Sequence, residues 1–208
     1  MSVAQSSGIP DTVFKNLRRF NLIMGFFHLV QGIAMIVVSN DFTITLTTLY
    51  LKAVIGEGTF SLEQNLQEGP SIPFGASVAL FLLLSAVAHF LLGTVLYNWY
   101  TKNLKRNMNP ARWYEYALSS SLMIVLIGML VGIYDLSTLI LMFGLNAMMN
   151  LFGLMMELHN QTTTKTDWTA FIYGCIAGII PWIVIILYLV GAAQSVDTEI
   201  PGFVYIII

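Results

Sequence analysis

One carboxylate, two histidines and several hydroxyls and amides interrupt stretches that are otherwise apolar. Glu115 lies in Asn109-Pro110-Ala111-Arg112-Trp113-Tyr114-Glu115-Tyr116, with Ser119-Ser120-Ser121 just after it. Glu115 and Ser119 are four residues apart and share one helix face, as do Asn146 and Asn150; His28 and Gln31 are three apart. An ionisable group at membrane depth is costly, and marks a proton relay, an ion path or the partner of a buried cation. Imidazoles at such depth can exchange protons near neutral pH. No nucleophile–base pair or phosphate loop accompanies these groups, and His28, His89 and His159 cannot supply the histidine cluster of a membrane metal oxygenase. The sequence therefore predicts no enzyme and no metal.

The setting of these residues is a membrane. The chain has 208 residues, of which 57% are hydrophobic and 10% charged, and its mean hydropathy is +0.77. A soluble domain averages about 25% charged residues. An all-α integral membrane protein with a single transmembrane domain over residues 1–208, bathed in lipid, is the expectation. The net charge of −2 argues against nucleic-acid binding. The single cysteine, Cys175, sits in an apolar run, so there is no disulfide framework. Met1 to Asp11 is polar and lacks a signal-peptide core, which makes the first apolar run an anchor.

A spanning helix needs about 20 apolar residues. The pattern predicts spans over about 20–38, 74–99, 109–134, 136–158 and 168–192. Asn109-Pro110 supplies an N-cap and N1 pair, Asp135-Leu136-Ser137 a tight turn, and Pro181 a kink. A sixth span, 201–208, covers about a third of a bilayer core. Because chains seldom end in hydrocarbon with unsatisfied carbonyls, more helix is expected after Ile208, with a re-entrant or interfacial tail as the alternative. Between the first two spans, Thr43-Ile44-Thr45-Leu46-Thr47 and Thr59-Phe60-Ser61-Leu62 alternate around Gly56-Glu57-Gly58. This predicts a β-hairpin over about 42–66, outside the bilayer. Long connections of this kind are functional or form interfaces, and exposed strand edges recruit partners, so a homodimer through the hairpin and helices is expected.

Basic residues set the orientation. Lys15, Arg18, Arg19, Lys102, Lys105, Arg106, Arg112 and Lys165 fall on one side, and Lys52 alone on the other. The N-terminus is thus expected in the cytoplasm of the cell and the hairpin outside. Counting about 1.5 Å per residue from the cytoplasmic ends puts His28 about 14 Å deep, His89 about 15, Glu115 about 9, Ser119 about 15, Asn146 about 16 and Asn150 about 10 Å. The polar groups occupy the cytoplasmic half and suggest a cavity there, while the outer half is dry. Each has a plainer reading. A lone membrane histidine is more often a packing residue, Ser and Asn act as interhelical glue, and the triple serine can bond back to i−4 carbonyls. Glu157 and His159, at a helix end, read as solvated, and the many methionines as packing filler. Glu115 is the exception and reads as functional, with Arg112, three residues away, as its one nearby cation.

The motif from Asn109 to Tyr116 with Ser119-Ser120-Ser121 resembles the third helix of heliorhodopsins, and His28-Leu29-Val30-Gln31-Gly32 resembles their first. His89 falls where the family carries a second-helix histidine. The resemblance covers essentially the whole chain. It implies a seven-transmembrane-helix rhodopsin-like bundle, about five and a half helices of it in this chain. It also implies all-trans retinal bound as a protonated Schiff base to a lysine on helix seven. Glu115 would be the counterion, and Ser119 would hydrogen-bond near the Schiff base. His28, Gln31, His89 and Asn146 would line the cytoplasmic-side polar cavity. Trp182, Met123 and Tyr116 would belong to the retinal pocket. Lys15, Lys52, Lys102, Lys105 and Lys165 all lie in loops or at helix ends, so the chromophore lysine is not among them.

The function expected is light sensing with a slow photocycle and an unknown cytoplasmic signalling partner. Two alternatives stand beside it: a light-gated ion or proton channel, and a proton-coupled small membrane transporter without chromophore.

Overall fold

The computed structural model describes residues 10–56 and 59–195. Five helices are long and apolar enough to cross a membrane. In chain order the elements are α1 (Asp11–Val38), the strands β1 (Thr43–Gly56) and β2 (Thr59–Pro73), α2 (Phe74–Gly93), the short α3 (Tyr97–Leu104), α4 (Pro110–Leu130), α5 (Leu136–His159) and α6 (Thr169–Ser195). The long helices pack in sequence, α1 on α2, α2 on α4, α4 on α5 and α5 on α6. The expected span at 201–208 lies outside the described residues.

Helix ends differ from the apolar runs for local reasons. α1 starts at Asp11, well before the apolar run, with the carboxylate in the first turn where the helix dipole favours it. Its polar turns carry Phe14 into a buried position. The run expected over 74–99 is two helices. The chain breaks at Thr94 (φ −127°, ψ −95°), whose hydroxyl donates to the Phe90 carbonyl at 2.6 Å. α4 ends four residues short of Tyr134 because Gly132 turns the chain at φ +95°, open to glycine without strain, and the Ile133 N–H returns to Gly128 O. α4 and α5 are each capped by a side chain. Asn109 accepts from Arg112 N at 3.2 Å, and Asp135 from Thr138 N at 2.7 Å.

The hairpin is longer than expected. β1 and β2 have 14 and 15 residues and run antiparallel to the start of α2, with a register shift between Thr45 and Thr47. β2 holds Glu63-Gln64-Asn65 and Gly69-Pro70, types with little strand preference, yet cross-strand pairs such as Lys52 with Glu63 and the Thr45–Ser71 hydroxyl contact at 2.8 Å continue the ladder. Its base is tied down by Thr47 N to Tyr134 O at 2.8 Å, and Ile44 and Leu46 enter the main apolar core. That core also contains Ile124, Leu126, Met129, Ile133, Leu139, Met142 and Ile185.

Between membrane helices association comes mainly from close van der Waals packing, so small residues decide how near two helices come. A Cβ at Gly32 would meet Leu83 at 2.8 Å, and one at Gly153 would run into the Trp113 ring. These contacts set the α1–α2 and α4–α5 spacings that bring the polar groups together.

Candidate functional site

Glu115 projects from α4 toward α2. Its carboxylate accepts the Ser85 hydroxyl at 2.7 Å, and no cation pairs with it among the described residues. Arg112 does not turn to Glu115. Its guanidinium lies 3.0 Å from Glu157 on α5 and stacks over the Trp113 ring at 4.3 Å. Glu157 also accepts the Asn109 backbone N–H at 2.6 Å, and its side chain is only 13% exposed. The expectation of a solvated Glu157 is therefore corrected: it clamps α5 to the N-terminus of α4. One turn past Glu115, Ser119 is buried and its hydroxyl makes no hydrogen bond among the described residues.

His28 on α1 and His89 on α2 meet face to face, with ring centroids 5.6 Å apart and planes 12° from parallel. His28 Nδ1 lies 3.1 Å from Gln31 Oε1, and His89 Nδ1 lies 2.8 Å from Asn21 Oδ1. Since the Asn21 amide nitrogen already donates to Leu17 O, its oxygen faces the ring. His89 Nδ1 must then donate, and in the neutral ring its Nε2 is left as an acceptor. Gln31 is itself exposed. A cavity of about 180 Å³ has both His89 and Glu115 in its lining, with Asn21, Tyr100, Asn109 and Arg112.

Asn146 lies elsewhere. Its amide donates to Ser120 Oγ at 2.8 Å and Ser121 Oγ at 3.1 Å, while Asn150 donates to Ser120 Oγ at 3.0 Å. Asn146 therefore joins the α4–α5 seam and not the histidine cluster, because its helix packs on the serine face of α4. Ser120 in turn bonds back to Tyr116 O at 2.6 Å. Tyr116 lines the cavity beside Glu115. Trp182, next to the buried Pro181 on α6, packs against the apolar core, whereas Met123 is 38% exposed.

Sequence reasoning missed Asn21, Ser85 and Tyr100. Spacing held a signal for two of them: Ser85 is one turn before His89, and Asn21 is two turns before His28.

In chemical terms, the arrangement is an anion without a cation, a hydroxyl one turn deeper, and across the cavity the His89 imidazole, with His28 stacked behind it. Such a set suits a cationic group held against Glu115, and fits the charged end of the chromophore that the sequence resemblance implies. A protein-family model described as Heliorhodopsin matches residues 17–208. No curated protein matches the chain.

Proposed function

The chain belongs to the heliorhodopsin family, a family of retinal-binding, photoreceptor-type rhodopsins, and from that premise we propose that it senses light with Glu115 as the chromophore's counterion. One observation carries the reading: a carboxylate within a membrane-length helix has a serine hydroxyl as its contact and no cation on it among the described residues. Even a half-buried anion at membrane depth is costly without a partner, and a cationic nitrogen beside it offsets that cost. All-trans retinal, when bound as a protonated imine of a lysine, supplies the visible absorption and the light-driven isomerisation. The lysine is one other than Lys15, Lys52, Lys102, Lys105 and Lys165, none of which lies within the apolar part of a spanning helix.

The chain's own residues divide the remaining work. Ser85 orients the Glu115 carboxylate, and the free Ser119 hydroxyl offers a hydrogen bond one turn away. Trp182 flanks the polyene; Tyr116 and Met123, 48% and 38% exposed, have less support in that role. His89, oriented by Asn21, faces the cavity with His28 stacked on it, and the pair is placed to exchange a proton there. The hairpin-side half is filled by apolar side chains, which favours sensing over transport. The N-terminus and the cavity mouth face the cytoplasm, where a signalling partner reads the state of the bundle. The exposed hairpin joins two copies into a homodimer, and the protein is not an enzyme.

The test is absorbance of the full chain purified with all-trans retinal. A visible band bleached by hydroxylamine, with no light-driven current in planar bilayers, is the expected result. A colourless protein would overturn the reading in favour of a proton-coupled transporter, and a light-driven current would replace sensing with conduction.

A further inference from the structure

At the end of the bundle opposite the hairpin, two basic segments far apart in sequence form one surface. Lys15, Arg18 and Arg19 belong to the first turns of α1, and Lys102, Lys105 and Arg106 to the end of α3 and its loop. Two contacts hold the segments together. The Lys105 ammonium stands 5.2 Å above the ring of the buried Phe14, and the Arg18 guanidinium 5.1 Å above the Tyr97 ring. Arg18 also donates from Nε to the Gly93 carbonyl at 2.8 Å, closing the C-terminus of α2 and fixing where α3 begins. None of the six cations forms an ion pair among the described residues. The one acid in these segments is Asp11, which sits in the first turn of α1.

The patch borders an apolar belt. Phe20 is 56% exposed, Val95 80% and Trp99 41%, and Trp99 lies on the same short helix as Lys102. Tryptophan at such a boundary sits at headgroup level in a bilayer. A soluble acidic partner would match the cations alone and make no use of the belt, which lies among the acyl chains. An anionic phospholipid matches both, with phosphate on the cations and acyl chains on the belt.

We propose that α1 and α3 together form a binding site for an anionic phospholipid headgroup of the phosphatidylglycerol type. Arginine and lysine divide the task there. The guanidinium of Arg19 can meet the phosphate with two parallel donors, and the lysines act as point charges around it. Arg18 is a positioning residue, because its Nε is engaged at Gly93 and its ring contact sets the α1–α3 distance. The site stands whether or not the chain carries a chromophore.

The experiment reconstitutes the full chain in phosphatidylcholine vesicles and titrates in brominated phosphatidylglycerol or brominated phosphatidylcholine. The readout is the quenching of Trp99, isolated by subtraction of a Trp99→Phe protein. A cation near an anionic surface contributes about fivefold to binding, so phosphatidylglycerol should be preferred by at least about fivefold. Lys102→Gln/Lys105→Gln/Arg106→Gln should bring the preference close to unity. Lys15→Gln/Arg19→Gln, on the other segment, should lower it independently, while Lys52→Gln/Lys165→Gln leaves it unchanged. Equal quenching by the two lipids, or a preference that survives both sets of substitutions, overturns the site. Displacement by millimolar inorganic phosphate would assign it to a free anion and overturn the lipid.

Discussion

Arg112 stands between two carboxylates, and a double-mutant cycle decides which one it serves. Its guanidinium is 3.0 Å from Glu157 and 44% exposed, while Glu157 is 13% exposed and also holds the Asn109 N–H at 2.6 Å. A fully exposed pair gives about 0.2–1 kcal/mol, and a hydrogen bond to a charged group about 1.5–3 kcal/mol. With one partner half in water, the coupling between Arg112 and Glu157 should be about 1 kcal/mol. Glu157→Gln alone should cost more, about 1.5–2 kcal/mol, because the Asn109 N–H at the start of α4 keeps only a neutral acceptor. Arg112→Gln with Glu115→Gln should show no coupling beyond about 0.3 kcal/mol, the ordinary scatter for sites that do not interact. The assay is reversible unfolding in mixed micelles for wild type, the single variants and both double variants. A coupling below about 0.3 kcal/mol for Arg112–Glu157, or a larger one for Arg112–Glu115, would refute the reasoning. Glu115 would then have a cation of its own.

Three further perturbations have definite outcomes. Ser85→Ala removes the donor on Glu115 and concentrates its charge, so the pigment's absorption should move to shorter wavelength; no movement would detach Ser85 from the carboxylate. Gly153→Ala pushes a methyl group into the rigid Trp113 ring and should cost about 1–3 kcal/mol of unfolding free energy. Adding Trp113→Leu should return part of that loss, and a neutral Gly153→Ala would mean that the α4–α5 seam is looser than drawn. Asp167, in the α5–α6 loop, is held below the ordinary carboxylate range by the Thr169 side-chain and backbone donors, with His159 adding to it. A depressed pKa means the staple is complete above about pH 4 and is lost as pH falls through the lowered value. Exchange of the Thr169 amide, corrected for its intrinsic rate, should therefore accelerate as the pH falls below about 4, and an unchanged protection factor would contradict the shift.

The parts of the fold with chemical punctuation were legible in the sequence. Asn109-Pro110 and Asp135 name the starts of α4 and α5 because a side-chain oxygen caps orphan N–H groups wherever it is placed. Apolar composition located the spans but not their ends. It could not see that α1 begins in polar residues, or that Thr94 breaks the second run into α2 and α3. β2 was half hidden because Glu63-Gln64-Asn65 does not alternate, and only pairing with β1 makes it a strand. At the site, Glu115, Ser119, His28 and His89 stood out as polar groups in apolar surroundings. Their partners did not. Ser85 and Asn21 are types that usually act as glue, and Glu157 looked solvated because a helix-end acid normally is. Asn146 could be assigned to the serine face of α4 only once the packing of α5 was known, since periodicity gives a residue its face but not the neighbour on it.

The most direct measurement is the absorption spectrum of Glu115→Gln against wild type in the retinal-bound full chain, followed through a pH titration. The carboxylate supplies the negative charge that stabilises a cationic chromophore. Its loss should move the band to longer wavelength and lower the pH at which the visible form is lost by about 1–3 units, the scale of a neighbouring opposite charge. A variant with the wild-type spectrum and the wild-type titration would contradict the account.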